Sequence, residues 1–206
     1  MRALDDRPGS HVNSDRPIRY VRNRPGRVVT AIAALTLCAC SDDAARPPHD
    51  PGSCIAGGYL TTQLHGAVTT IIDWRGDTLN CEGMPRPAGE GARLRLAGPL
   101  DGATDTSVAA FILGIPDLQR GRTARELATH VTFLEEGRGR FFATADTQGC
   151  WTDIDTQDPL DDNGGTTYRI GGTVYCVSPL AELNGASSIN FTELTFSARL
   201  NWSPPE

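Results

Sequence analysis

Leu194-Thr195-Phe196-Ser197-Ala198-Arg199-Leu200-Asn201-Trp202 alternates with a period of two. Leu194, Phe196, Ala198, Leu200 and Trp202 fall on one face; Thr195, Ser197, Arg199 and Asn201 fall on the other. Successive side chains of a strand point to opposite sides, so this stretch reads as a strand with one face in a core and one in water. Ile189 and Phe191 are out of phase with it, which predicts a bulge near Thr192–Glu193.

The same period recurs upstream. From Leu60 to Trp74 it describes one long strand, or two joined near Gly66. Further strand candidates are Arg93–Ala97, Ser107–Gly114, His130–Glu135, Arg140–Ala145, Cys150–Asp155 and Thr166–Val177, and the C-terminal candidate as a whole runs over Ser188–Trp202. Turn chemistry separates them: Gly98-Pro99, Glu136-Gly137-Arg138-Gly139, Asp162-Asn163-Gly164-Gly165 and Asn184-Gly185. Thr123–Thr129 is the one helix-like stretch, and it is short. Many short strands with Gly-rich turns predict an all-β domain, a single antiparallel β-sandwich or partly open barrel.

The N-terminal part has a different character. Val28–Ala39 is a twelve-residue apolar run preceded by Arg19, Arg22, Arg24 and Arg27. A bilayer-spanning helix takes about 20 residues, so the run suits the apolar region of a cleaved signal. It ends in Leu37-Cys38-Ala39-Cys40-Ser41, which resembles the lipobox of bacterial lipoproteins: an aliphatic residue at −3, a small one at −1, then the acceptor cysteine. Cys38 would have the branched Leu37 at −1, so Cys40 is the expected site of diacylglycerol and palmitate. The first twenty residues carry Asp5, Asp6 and Asp15 and no apolar pattern; a start near Val21 would leave VRNRPGR as a conventional basic region. The expected division is a signal peptide over 1–39, a lipidated flexible tether over 40–53, rich in proline, and a β-rich envelope domain over 54–206.

Of the chain's six cysteines, Cys54, Cys81, Cys150 and Cys176 remain for the domain. An even number in an exported protein predicts two disulfides, with three connectivities possible. Asn163-Gly164 lies midway between Cys150 and Cys176, so a hairpin there would set those two opposite each other. Cys54 then pairs with Cys81 by elimination. No C-x-x-C spacing suggests zinc.

Composition narrows the function. Without the seven Arg and three Asp of residues 1–39, the chain's 19 basic and 25 acidic residues become 12 and 22, a net charge of −10. Such a surface is a poor partner for nucleic acid, where cations must neutralise phosphates. It is equally poor for anionic headgroups, so the acyl chains supply the membrane attachment. The chain has no lysine, which excludes Schiff-base and P-loop lysine chemistry.

Several constellations are candidate sites. Asp153, Asp155, Asp158, Asp161 and Asp162 place five carboxylates within ten residues, as a calcium loop would, but without the order of an EF-hand. A solvated acidic loop is the expected reading. His65 and His130 are the domain's histidines, and no G-x-S-x-G elbow supplies a serine. Glu135-Glu136 as neighbours on a strand would point apart, unlike a glycosidase pair. Arg120, Arg122 and Arg125, with Arg138 and Arg140, could grip an anionic group such as a phosphorylated envelope sugar; a solubilising surface is the simpler expectation. Trp74, Trp151 and Trp202 invite sugar stacking, with packing the more ordinary role.

CEGMPRP from Cys81, FLEEGRGRFFAT from Phe133, CWTDI from Cys150 and YCVSPLAELNG from Tyr175 resemble segments of uncharacterised exported proteins of proteobacteria. The resemblance spans most of residues 54–202 and implies an exported bacterial domain, with no activity attached. The expectation is a lipid-anchored cell-envelope protein with a non-catalytic binding or structural role, needing no cofactor. Its membrane contact is the N-terminal lipid, its partner an envelope protein or glycan. Ser41 after the acceptor resembles the signal for outer-membrane sorting. The alternative is a carbohydrate- or glycolipid-binding module, with or without the help of calcium, and a hydrolase ranks third.

Overall fold

The structure is a computed structural model that describes residues 54–87, 90–100, 107–146, 149–160 and 165–203. Cys38, Cys40, the signal and tether segments, and Asp161 and Asp162 lie outside the described residues.

The described chain is built of strands with no α-helix among them. They are β1 (Tyr59–Gly66), β2 (Thr70–Arg75), β3 (Asn80–Pro85), β4 (Ala92–Pro99), β5 (Val108–Ile115), β6 (Ala124–Ala128) and β7 (His130–Glu135). There follow β8 (Arg140–Ala143), β9 (Cys150–Pro159), β10 (Thr167–Cys176), β11 (Leu180–Glu182), β12 (Ser188–Asn190) and β13 (Glu193–Asn201). Pairing is antiparallel throughout, in the order β3-β4-β5-β7-β8-β11-β12-β1-β13-β10-β9-β6, with β2 on the other edge of β1. The sheet does not close, and its two halves meet over one core, as expected for a sandwich or open barrel.

The predicted bulge allows β1 to serve both halves. Thr62 faces Leu194 on β13, but His65 faces Asn190 on β12, so one extra residue lies in the 191–193 stretch. Ile189, Phe191, Leu194, Phe196, Ala198 and Leu200 all reach the core despite the change of phase. Phe111 is at the centre of the aromatic packing, with ring centroids 5.0 Å from Phe133, 5.9 Å from Phe191 and 6.3 Å from Trp74. Where β3 crosses β13, Gly83 has no room for a side chain: a Cβ there would collide with the backbone of Arg199 and Leu200.

Both disulfides form as expected. Cys150 and Cys176 are register partners on β9 and β10, with Cα atoms 4.1 Å apart. Cys54 and Cys81 are 4.9 Å apart at Cα and tie the segment before β1 to β3.

Of the two readings of Leu60–Trp74 the second holds: β1 and β2 are two strands joined after Gly66 as a hairpin. Three local expectations are corrected. Thr123–Thr129 is not helical: its interior is the edge strand β6, paired with β9. Its helix-favouring Ala, Arg, Glu and Leu lose to tertiary context. Glu126 sits at φ +53° within a register irregularity, and the Thr129 and Thr152 hydroxyls bond each other at 2.7 Å in the interior. Gly98-Pro99 is the end of β4, not a turn, and Gly98 lies flat against the Trp74 ring. The supposed acidic loop is largely strand, because β9 runs on to Pro159.

Candidate functional site

The outer face of the half formed by β2, β1, β13, β10 and β9 is polar by the same alternation that buries its inner face. Register arranges it in rows across the strands. One row is Asp158–Arg169–Arg199; the next is Thr156–Gly171–Ser197–Tyr59–Arg75; a third is Asp153–Thr173–Thr195–Thr61–Asp73. Trp151 and Tyr175 form the next pair along β9 and β10, their rings stacked at 6.0 Å and 26°. From Arg169 to Tyr175 this face covers roughly 20 Å of strand.

A recess of about 190 Å³ opens in the middle of these rows. Gly171 and Gly172 lie in its lining; Gly171 adds no side chain to the row, and Gly172 lets β9 approach so closely that a Cβ there would collide with the Asp153 carbonyl. Between them the register shifts: Gly171 faces Thr156, Gly172 faces Ile154, and Asp155 is the extra residue on β9. Bulges re-aim side chains in this way, and here Asp155 becomes part of the wall. Thr173, Thr195 and Ser197 contribute hydroxyls, Tyr59 a ring, and Arg169 a guanidinium at one end. The Tyr59 ring is itself covered by Arg75, whose guanidinium carbon lies 5.5 Å from the ring centre.

Charges around the recess are ordered. Arg125 on β6 bonds Asp153 and Asp155, each at 2.9 Å. Asp153 also accepts the Glu126 N–H at 2.7 Å. That backbone bond first, then the Arg125 guanidinium, holds the Asp153 carboxyl below its usual range. Burial, and then the Asp153 charge, push the Tyr175 phenol up. Arg169 donates to Ser197 Oγ at 3.5 Å and to the Ala56 carbonyl at 3.0 Å.

A second hollow, about 410 Å³, lies between half-buried Trp202 and the loop from Pro116 to Arg120. Buried Gln157 shapes it. Its Oε1 accepts the Gly121 N–H and the Trp202 indole N–H, and its Nε2 donates to the Gln119 and Arg122 carbonyls.

The remaining candidates from the sequence separate. Of the five carboxylates, Asp153 and Asp155 share Arg125, and Asp158 stands two rows from Asp153 at the strand end. No group of three or more His, Cys, Asp or Glu able to hold a metal ion occurs among the described residues. His65 and His130 are exposed on β1 and β7 and line neither hollow. Glu135 is 1% exposed, Glu136 is at the surface, and so the two do part. Glu135 is held by Arg138 and Arg140, at 3.1 and 3.4 Å; Arg140 also bonds Glu182, and Glu136 bonds Arg95. The arginine cluster is therefore not one site. Trp74 is in the core with its N–H on the Pro99 carbonyl. Tyr59, Thr173, Ser197 and Arg169 were not singled out from sequence. Gly171-Gly172 inside a strand pattern was the available signal, since glycines there mark bulges and open backbone.

No protein-family model, curated protein or solved structure matches the chain.

Proposed function

We propose that this is a lipid-anchored cell-envelope protein, held at the outer membrane through Cys40, whose β-domain binds rather than catalyses. The recess on the polar sheet face carries the reading. Its walls offer hydroxyls, a carboxylate, a guanidinium and a tyrosine ring, groups that hold a polar ligand. They bring no thiol, and neither domain histidine, to a reacting centre. Two disulfides suit an oxidising compartment outside the cytoplasm.

Fractionation tests the anchor. Cys40→Ser should move the full-length protein from the membrane to the soluble fraction, and Cys38→Ser should leave it in place. The reverse pattern would reassign the acceptor.

The glycan reading is favoured over a purely structural role by one arrangement. The half-exposed Trp151–Tyr175 stack stands on the same face as the hydroxyl-lined recess, and sugars combine an apolar ring face with a rim of hydroxyls. A glycan array probed with the detergent-extracted protein should show binding that falls at least tenfold with Tyr59→Ala or Trp151→Ala. Uniform failure of the array would leave a protein partner as the reading.

A further inference from the structure

Arg169 on β10 and Arg199 on β13 are direct register partners, on the outer face and half buried. Like charges placed directly opposite across strands destabilise a sheet. Nearby arginines on this side avoid that arrangement: Arg75 bonds Asp73 at 2.7 Å, and Arg125 bonds Asp153 and Asp155. Neither Arg169 nor Arg199 forms an ion pair among the described residues. Asp158 is the β9 partner of Arg169, yet no ion pair joins them. The Arg169 guanidinium instead donates to two uncharged oxygens, Ser197 Oγ and the Ala56 carbonyl. A guanidinium has five N–H donors, so most of its capacity remains, in a planar fork that matches phosphate and carboxylate oxygens. Ser197 belongs both to this contact and to the recess wall, so the cationic pair and the recess are continuous.

We propose that the recess takes a sugar unit bearing an acidic group, phosphate or carboxylate, and that Arg169 and Arg199 together hold that group. The inference rests on the glycan reading above and names the class of sugar. The bound anion lies between the two guanidinium groups and removes their mutual repulsion. Asp155, on another wall, repels the acidic group and accepts from a hydroxyl. The ligand therefore has one orientation: acid toward Arg169, ring hydroxyls toward Asp155, Thr173 and Thr195.

Calorimetric titration of the mature, disulfide-intact protein tests this. The probes are glucuronate, galacturonate and glucose 1-phosphate, with glucose, galactose and inorganic phosphate as controls. At least one acidic sugar should bind tenfold or more tighter than both its neutral parent and phosphate. Arg199→Gln and Arg169→Gln should each cut that affinity about tenfold and weaken its salt dependence. Arg199→Gln should leave the melting temperature of the free protein unchanged or higher, because it removes a repulsive neighbour; this confirms a folded variant. Neutral sugars binding as tightly as acidic ones, in wild type and Arg199→Gln alike, would overturn the inference and leave the glycan reading standing. Inorganic phosphate binding as tightly as every acidic sugar, or no binding to any probe, would likewise overturn the inference; failure of the glycan array as well would overturn the glycan reading on which it rests.

Discussion

Arg125 bridges Asp153 and Asp155, its Nη1 2.9 Å from one carboxylate and its Nη2 2.9 Å from the other. The cation that relieves repulsion on this stretch of β9 is thus a side chain of the protein. Calcium needs six to eight oxygens converging on one point, and here it would have to displace a guanidinium. A site filled to a hundred times its dissociation constant would stabilise the fold by about 2.7 kcal/mol. That is a rise of several degrees in a domain of this size. The expected result is no difference in melting temperature between millimolar calcium, magnesium and EDTA. A calcium-specific rise, abolished by Asp155→Asn with Asp158→Asn, would reinstate the acidic segment as a metal site.

The Cys150–Cys176 bridge closes a segment of 26 residues between paired strands. In the chain-entropy account such a closure contributes about 3 kcal/mol by restricting the unfolded chain. Replacing both cysteines with alanine should lower the melting temperature by roughly 10 °C, with the fold retained. Peptide mapping without reductant should recover Cys150–Cys176 and Cys54–Cys81 peptides. A Cys81–Cys150 peptide would contradict the register of β9 and β10.

Phe111 should matter far more than Phe141. The first is fully buried among Trp74, Phe133 and Phe191; the second is 42% exposed. Phe111→Ala leaves a large cavity and should cost about 3–5 kcal/mol, while Phe141→Ala should cost under about 1 kcal/mol. Urea midpoints measure the contrast. Equal losses would place the core elsewhere.

The elements legible from sequence are those whose two faces differ. β13 could be read because a core-facing apolar set alternates with a polar set, and the Thr192–Glu193 bulge could be read from Ile189 and Phe191 breaking phase. β3 escaped because Asn80-Cys-Glu-Gly-Met-Pro85 has no alternation; its place comes from the Cys81 bridge and the close approach at Gly83. β6 escaped because Ala-Arg-Glu-Leu-Ala favours a helix on local grounds, and only pairing with β9 decides otherwise. The recess was beyond single-sequence reading for a related reason. Its residues come from four strands distant in sequence, and the register that brings Tyr59 beside Ser197, and Ser197 beside Gly171, depends on long-range pairing.

Acid sensitivity should follow from two carboxylates. Asp153 is held below its ordinary range first by the Glu126 N–H and then by Arg125. Glu182 is held low first by Arg140 and then by the Ser187 hydroxyl. A carboxyl whose pKa is lower folded than unfolded stabilises the protein above its unfolded value, about 4. That contribution fades as pH falls through the folded value, because the unfolded chain binds the proton first. Asp153→Asn and Glu182→Gln should therefore melt lower than wild type at pH 7. The gap should stay constant down to about pH 5 and narrow toward pH 3. Titration of other carboxylates is common to each pair of proteins and cancels in the difference. A gap as wide at pH 3 as at pH 7 would mean that these side chains stabilise by shape or neutral hydrogen bonding, and that their charge is immaterial.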